Sequence, residues 1–169
     1  GRFLLTGGSD RTASLWDIAT GKTIRAFTGH TSSVQTVTFS PNGQQIVTTS
    51  NDGIVRVWNL QTASIGMQFI GHQANVGQAS FSSDSKYVVT ASIDNTARIW
   101  NPQTGQTIVT LIGHADEVRG AVFSPDGQLV LTASADDTAI LWDVISGEEL
   151  IRLEGHTGPV HGAVFSRDG

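Results

Sequence analysis

The sequence contains no cysteine, which excludes disulfides and thiolate metal sites. Charge is sparse as well: Asp, Glu, Lys and Arg make up 15% of the 169 residues, and the formal net charge is −5. That balance gives no basic footprint for nucleic acid. The Arg and Lys residues are scattered singly, so no polybasic patch faces a membrane. No apolar run approaches the ~18–20 residues of a membrane helix, and no signal-peptide pattern appears. A cytoplasmic location is the default expectation, with a surface rich in Ser, Thr, Gln and Asn.

What the chain has instead is one unit written several times. GHTSSVQTVTFSPNGQQIVTTSNDGIVRVWN, GHQANVGQASFSSDSKYVVTASIDNTARIWN and GHADEVRGAVFSPDGQLVLTASADDTAILWD follow one another at a spacing of 42 residues. His30, His72, His114 and His156 keep that step, as do Trp16, Trp58, Trp100 and Trp142. So do Thr6, Thr48, Thr90 and Thr132, the turn residues Asp10, Asp52, Asp94 and Asp136, and the Val and Phe anchors. A period of ~20–50 residues marks a solenoid or propeller, in which a unit cannot bury both faces alone and stacked neighbours supply the core.

The apolar runs inside each unit are short, β-branched or aromatic, and bounded by Gly, Asp, Asn and Ser, which predicts strands rather than helices. Repeats 29–70, 71–112 and 113–154 each hold four such runs with short connections, hence four antiparallel strands. Residues 1–28 hold three runs, and residues 155–169 hold only a first strand, Val160–Ser166. The two ends are complementary and predict one split blade, 155–169 plus 1–28, within a single propeller segment spanning 1–169. The start at Gly1, without Met and inside a repeat, predicts either a processed N-terminus or a piece of a longer polypeptide.

With Gly-His, Ser-Pro-Asp-Gly, a turn Asp and a closing Trp-Asp at this spacing, the whole chain resembles the WD-repeat β-propeller family. The resemblance implies an all-β fold, a ring of four-stranded antiparallel blades around a channel, with four blades' worth per chain. It also implies offset repeats, in which strands from opposite ends complete one blade and cover a bare edge. The chain departs from the pattern at Trp58-Asn59 and Trp100-Asn101, where Asn keeps an acceptor. It departs again at Ser83-Asp84-Ser85 and at Ala63, where looser turns are expected.

His, a hydroxyl and Asp could form a nucleophile–base relay. An enzyme needs one such set in one cleft, however, and here every unit has one, so a scaffold role is expected and no catalytic residue. The family resemblance links these groups as hydrogen-bonded tetrads: His30, Thr48, Asp52 and Trp58; His72, Thr90, Asp94 and Trp100; His114, Thr132, Asp136 and Trp142; and His156, Thr6, Asp10 and Trp16. Ser50, Ser92 and Ser134 compete for the hydroxyl place, although the first unit has Gly8 there. A buried indole N–H needs an acceptor, and Asp fixes the imidazole tautomer. Histidines 42 residues apart, without HxxxH, HxH or a carboxylate cluster, predict no metal site and no cofactor. His161, outside the pattern, reads as a surface side chain.

Function is then expected at positions the repeats do not share. In the resembled family these flank the repeated Val and precede the turn Asp: Ser33, Gln35 and Asn51; Asn75, Gly77 and Ile93; Glu117, Arg119 and Ala135; Pro159, His161 and Ser9. They would present a peptide- or protein-binding face without a large aromatic anchor. The overall expectation is a non-catalytic protein-interaction scaffold that self-associates. Family rings of seven or eight blades turn about 51° or 45° per blade, within the ~4–8 blades of propellers generally. Four blades are therefore expected to close as half of an eight-bladed, two-chain ring. The alternative is a fragment of a larger propeller with a purely structural role.

Overall fold

Fifteen strands and no helix make up the computed structural model, which describes residues 1–168. The strands β1 (Phe3–Gly7), β2 (Thr12–Asp17) and β3 (Lys22–Thr28) form a three-stranded sheet. Three four-stranded sheets follow in chain order. They are β4 (Val34–Phe39), β5 (Gln45–Ser50), β6 (Val55–Asn59) and β7 (Ile65–Phe69); β8 (Val76–Phe81), β9 (Val88–Ser92), β10 (Thr96–Trp100) and β11 (Thr107–Ile112); and β12 (Val118–Phe123), β13 (Leu129–Ser134), β14 (Ala139–Asp143) and β15 (Glu149–Leu153). Every pairing is antiparallel between sequence neighbours.

The cores lie between sheets. Ala13, Leu15 and Phe27 cluster with Val34, Ile46 and Trp58 of the next sheet. Val47, Val57 and Phe69 meet Val76, Phe81, Val88 and Trp100, and Val89, Ile99 and Leu111 meet Val118, Val130, Ile140 and Trp142. Burial on both faces explains why β9 is buried at every residue and β5 and β13 at all but the first. In β2, whose sheet has one face towards solvent, burial alternates from residue to residue. Trp58, Trp100 and Trp142 are each only 1% exposed, and each large side chain so buried contributes on the order of 2–3 kcal/mol or more.

The first strand of each four-stranded sheet shifts register just after its Val: between Val34 and Thr36, Val76 and Gln78, and Val118 and Gly120. Gln35, Gly77 and Arg119 are thereby left unpaired on β-bulges, a device that bends a strand and re-aims a side chain. Polar groups tie the same strands to their neighbours. Thr38 Oγ1 donates to the Ala79 carbonyl at 3.2 Å, and Ser80 Oγ to the Ala121 carbonyl at 3.3 Å.

Two expectations differ from what is found. Among the described residues the predicted strand at Val160–Ser166 forms no ladder, and one backbone bond holds it, from Val160 N to Ser134 O at 2.8 Å. The segment rests against the last sheet, and β1 pairs with β2 alone. The looser turns are also absent. Ser85 N donates to Ser82 O at 2.9 Å, as Gly43 and Gly127 do to Ser40 and Ser124, and Ala63 N donates to Asn59 O at 3.0 Å. Ala63 (φ 57°) and Ser85 (φ 62°) adopt the left-handed conformation that glycine takes in the other repeats. The turn is held by its hydrogen bonds, and the side chain bears the strain.

Candidate functional site

The second strand places Thr48, Thr90 and Thr132 at its centre, and the third strand carries each Trp beside it. Trp58, Trp100 and Trp142 Nε1–H each donate to that threonine Oγ1 at 2.8 Å. The Oγ1 lies 2.7 Å from Nε2 of His30, His72 and His114. Nδ1 of the same rings lies 2.9, 2.8 and 2.8 Å from Asp52, Asp94 and Asp136 Oδ2. Only one set of directions satisfies the chain. The imidazole donates Nδ1–H to the carboxylate, the threonine O–H donates to Nε2, and the indole donates to the threonine oxygen. Ser50, Ser92 and Ser134 are not in this relay, since each donates to a loop carbonyl and accepts the N–H of the turn Asp.

Electrostatics follow from burial. Burial pushes the three imidazoles below the usual histidine value, against the pull of their aspartates. Burial raises the aspartates, but hydrogen bonds outweigh it. Thr31 N–H, His30 and Ile54 N–H hold Asp52 at about 2. Thr96, Gln73 N–H and His72 hold Asp94 at about 2. Asp136 is likewise held well below the carboxylate range by Thr138, Ala115 N–H and His114. The stable state is therefore neutral histidine and ionised aspartate. Thr48, Thr90 and Thr132 are each 0% exposed, so these three relays are closed off from solvent.

The fourth set is only half assembled. Trp16 Nε1–H donates to Thr6 Oγ1 at 2.9 Å, both on the solvent-facing first sheet, and Asp10 caps Thr12. His156 is exposed and joins no hydrogen bond among the described residues. The residue after each Trp has one task whether Asp or Asn. Asp17, Asn59, Asn101 and Asp143 Oδ1 accept backbone N–H groups two or three residues on, at 2.7–3.1 Å.

Two arginines were not singled out by the repeat, because their position varies (Ser14, Arg56, Arg98, Ile140). Arg56 Nη1 donates to Asp52 Oδ2 at 3.0 Å. The Arg98 guanidinium lies 5.9 Å from the Trp100 ring centre. Among the described residues no group of three or more His, Asp or Glu is placed to hold a metal ion. Among the same residues no helix is long and apolar enough to cross a membrane.

The variable rim positions are brought together within each sheet. Asn51, Ile93 and Ala135 N–H donate to the Ser33, Asn75 and Glu117 carbonyls at 3.1, 3.1 and 2.9 Å, with the bulged Gln35, Gly77 and Arg119 beside them. Gln35, Asn51, Gly77, Ile93, Pro159, His161 and Ser9 are exposed, and Ser33, Asn75, Glu117, Arg119 and Ala135 half-buried. Arg119 Nη1 donates to His161 Nδ1 at 3.0 Å, and its Nε lies 3.6 Å from Glu117. Gly77, Arg119 and His161 share a cavity of about 420 Å³, which Thr36 and Gln78 also line. Those last two stand two residues beyond the repeated Val, another place where the units differ (Thr36, Gln78, Gly120, Gly162).

Comparison with known proteins agrees with this geometry. The family described as WD domain, G-beta repeat matches residues 1–17, 21–59, 64–101 and 105–143. The nuclear distribution protein PAC1 of Mycosarcoma maydis is 38% identical over 48 residues, 28% of this chain and 11% of that protein. The guanine nucleotide-binding protein subunit beta-1 of Caenorhabditis briggsae is 40% identical over 45 residues, 27% of this chain and 13% of that protein. The transcription initiation factor TFIID subunit 5 of Caenorhabditis elegans is 39% identical over 46 residues, 27% of this chain and 7% of that protein. Each match thus spans about a tenth of the relative. With the family matched across most of its length and its interdigitated four-stranded sheets in place, the chain belongs to the WD domain, G-beta repeat family.

Proposed function

We propose that the chain is a non-catalytic protein-interaction scaffold whose tetrads hold the blades and whose bulged rim receives a peptide or protein. The observation that carries this reading is the register shift after Val34, Val76 and Val118. It takes one variable residue of each four-stranded sheet out of the ladder, and leaves Gln35 and Gly77 exposed and Arg119 half-buried. Matching relatives include a G-protein β subunit and a transcription-factor subunit, which fits a role in assemblies. The test is Ile93→Glu, on an exposed rim residue. It should abolish capture of a rim-binding peptide while leaving the melting temperature nearly unmoved, and equal loss of both would contradict the reading.

The finer proposal is that two copies close one eight-bladed ring. Two unsatisfied edges support it: β1 has a ladder partner on one side only, and 160–166 has none. Each copy's 160–166 would complete the other's β1–β3 sheet, a symmetric exchange that removes both edges. Native mass spectrometry should give about twice the 17.9 kDa chain mass. A monomer would instead favour a segment of a larger propeller, whose missing blades come from the same polypeptide.

A further inference from the structure

The cavity beside Arg119 has a polarity of its own. Its polar walls come from Thr36 on β4, Gln78 on β8, Arg119 on β12 and His161 in the last segment. The acceptors among these are already engaged. Gln78 Oε1 accepts the Ala121 N–H at 3.1 Å, which leaves its Nε2 amide without a partner among the described residues. His161 Nδ1 accepts from Arg119 Nη1 at 3.0 Å, which puts the ring hydrogen on Nε2. Thr36 Oγ1 shares a hydrogen bond of 2.8 Å with Thr49 Oγ1. Arg119 has Nη2 unpartnered among the described residues, on a side chain 32% exposed. Among the polar side chains of the described residues lining the cavity, the groups left free are donors: Arg119 Nη2, Gln78 Nε2–H and His161 Nε2–H. Among the described residues no carboxylate lines the cavity. Gly77 and Gly162 leave room, since a Cβ on either would meet nothing within 4 Å.

We propose that this cavity receives the carboxylate of an aspartate or glutamate side chain from the partner peptide. A planar, two-oxygen acceptor suits a guanidinium flanked by two N–H donors. Glu117 decides between a carboxylate and a phosphate. It already offsets part of the Arg119 charge at 3.6 Å, and the chain carries −5 overall. A singly charged group is therefore accepted where a dianion is repelled. The partner contributes one acidic anchor rather than an acidic run, which the net charge would hold off.

The inference rests on the scaffold reading, and the experiment separates the two. The full chain is panned against a random peptide phage library. Retained peptides are tested by isothermal titration against wild type, Ile93→Glu, Arg119→Gln and Gln78→Glu, with melting temperatures recorded. Gln78→Glu keeps the acceptor for Ala121 N–H and replaces the free amide with a like charge. The expected result is peptides with one shared Asp or Glu, bound at least about tenfold more weakly by both cavity variants, each still melting like wild type. Replacing that acid by Asn or Gln should weaken binding by a similar factor. Peptides that are lost on Ile93→Glu but carry no acid, or ignore Arg119→Gln, would overturn the carboxylate while leaving the scaffold. A phosphoserine version binding more tightly than the carboxylate would overturn it too. Failure of any peptide to bind would overturn both.

Discussion

Each buried tetrad threonine satisfies two neighbours at once, accepting from an indole and donating to an imidazole. Thr90→Val keeps the shape but leaves Trp100 N–H and His72 Nε2 unpaired, at a cost of about 2–3 kcal/mol. Thr90→Ser keeps the hydroxyl and loses one methyl, about 1 kcal/mol. Urea midpoints rank the two, and a serine variant as damaged as the valine one would contradict the relay. The same residues set the pH response. Histidines held below their unfolded value favour the neutral form, so their contribution is present above ~6.5 and declines as pH falls below it. Aspartates held near 2 contribute above ~3.9, and that share is lost as pH falls towards 2. Both signs agree: the midpoint should drop between pH 7.5 and 5 and fall again below 4. A midpoint flat from pH 7.5 to 5 would contradict the neutral, buried histidines.

Among the elements, the turn after each Trp shows how a blade depends on the one before it. Gly147 has φ 71°, and a Cβ there would collide with Val109 Cγ1 of the preceding sheet. Valine is stiff at χ1 and cannot swing clear. Gly147→Ala should cost more than about 1 kcal/mol, strain and collision together. Ala63 occupies the matching turn with φ 57°, and Ala63→Gly should raise the midpoint by about 0.5–1 kcal/mol by relieving that strain. Calorimetry on the pair checks both signs. The strands themselves were legible, because β-branched runs between Asp, Asn, Ser and Gly turns recur without an insertion. So was the acceptor role of Asn59 and Asn101, which follows from side-chain chemistry. The bulges at Gln35, Gly77 and Arg119 were not, since register is a property of two strands and leaves no mark in one. Ala63 misled for a related reason: a missing glycine signals strain and does not reveal whether the hydrogen bonds of the turn outweigh it. Gln78 escaped notice because its role depends on Ala121, 43 residues away.

For the whole molecule, the end sheets expose what the inner sheets bury. Leu129, Leu131, Leu141, Ile151 and Leu153 line an open cleft of about 430 Å³ with Val164 and Phe165, and Val164 is 83% exposed. At the other end Phe3 and Leu4 are exposed, Trp16 is half-buried, and Thr6 and Asp10 lack their histidine. The inner blades fix how these ends would meet. Val34↔Ser50, Thr36↔Thr49, Val37↔Thr48, Thr38↔Val47 and Phe39↔Ile46 recur as Val118↔Ser134 through Phe123↔Val130. The 42-residue step carries that register to Val160 opposite Gly8, Gly162 opposite Gly7, Ala163 opposite Thr6, Val164 opposite Leu5 and Phe165 opposite Leu4. His161 falls on the bulge, and His156 comes to the open place beside Thr6 and Asp10. Directly opposite residues have Cα atoms about 4.5–5.5 Å apart, within disulfide range. The chain has no cysteine of its own, so an engineered pair reports without background. Leu5→Cys with Val164→Cys should oxidise to a covalent dimer on a non-reducing gel. Leu4→Cys with Val164→Cys should not, because a one-residue slip puts the two side chains on opposite faces. Efficient cross-linking of both pairs would mean a loose association without this register. Cross-linking of neither would leave the β1 edge for a blade from the same polypeptide.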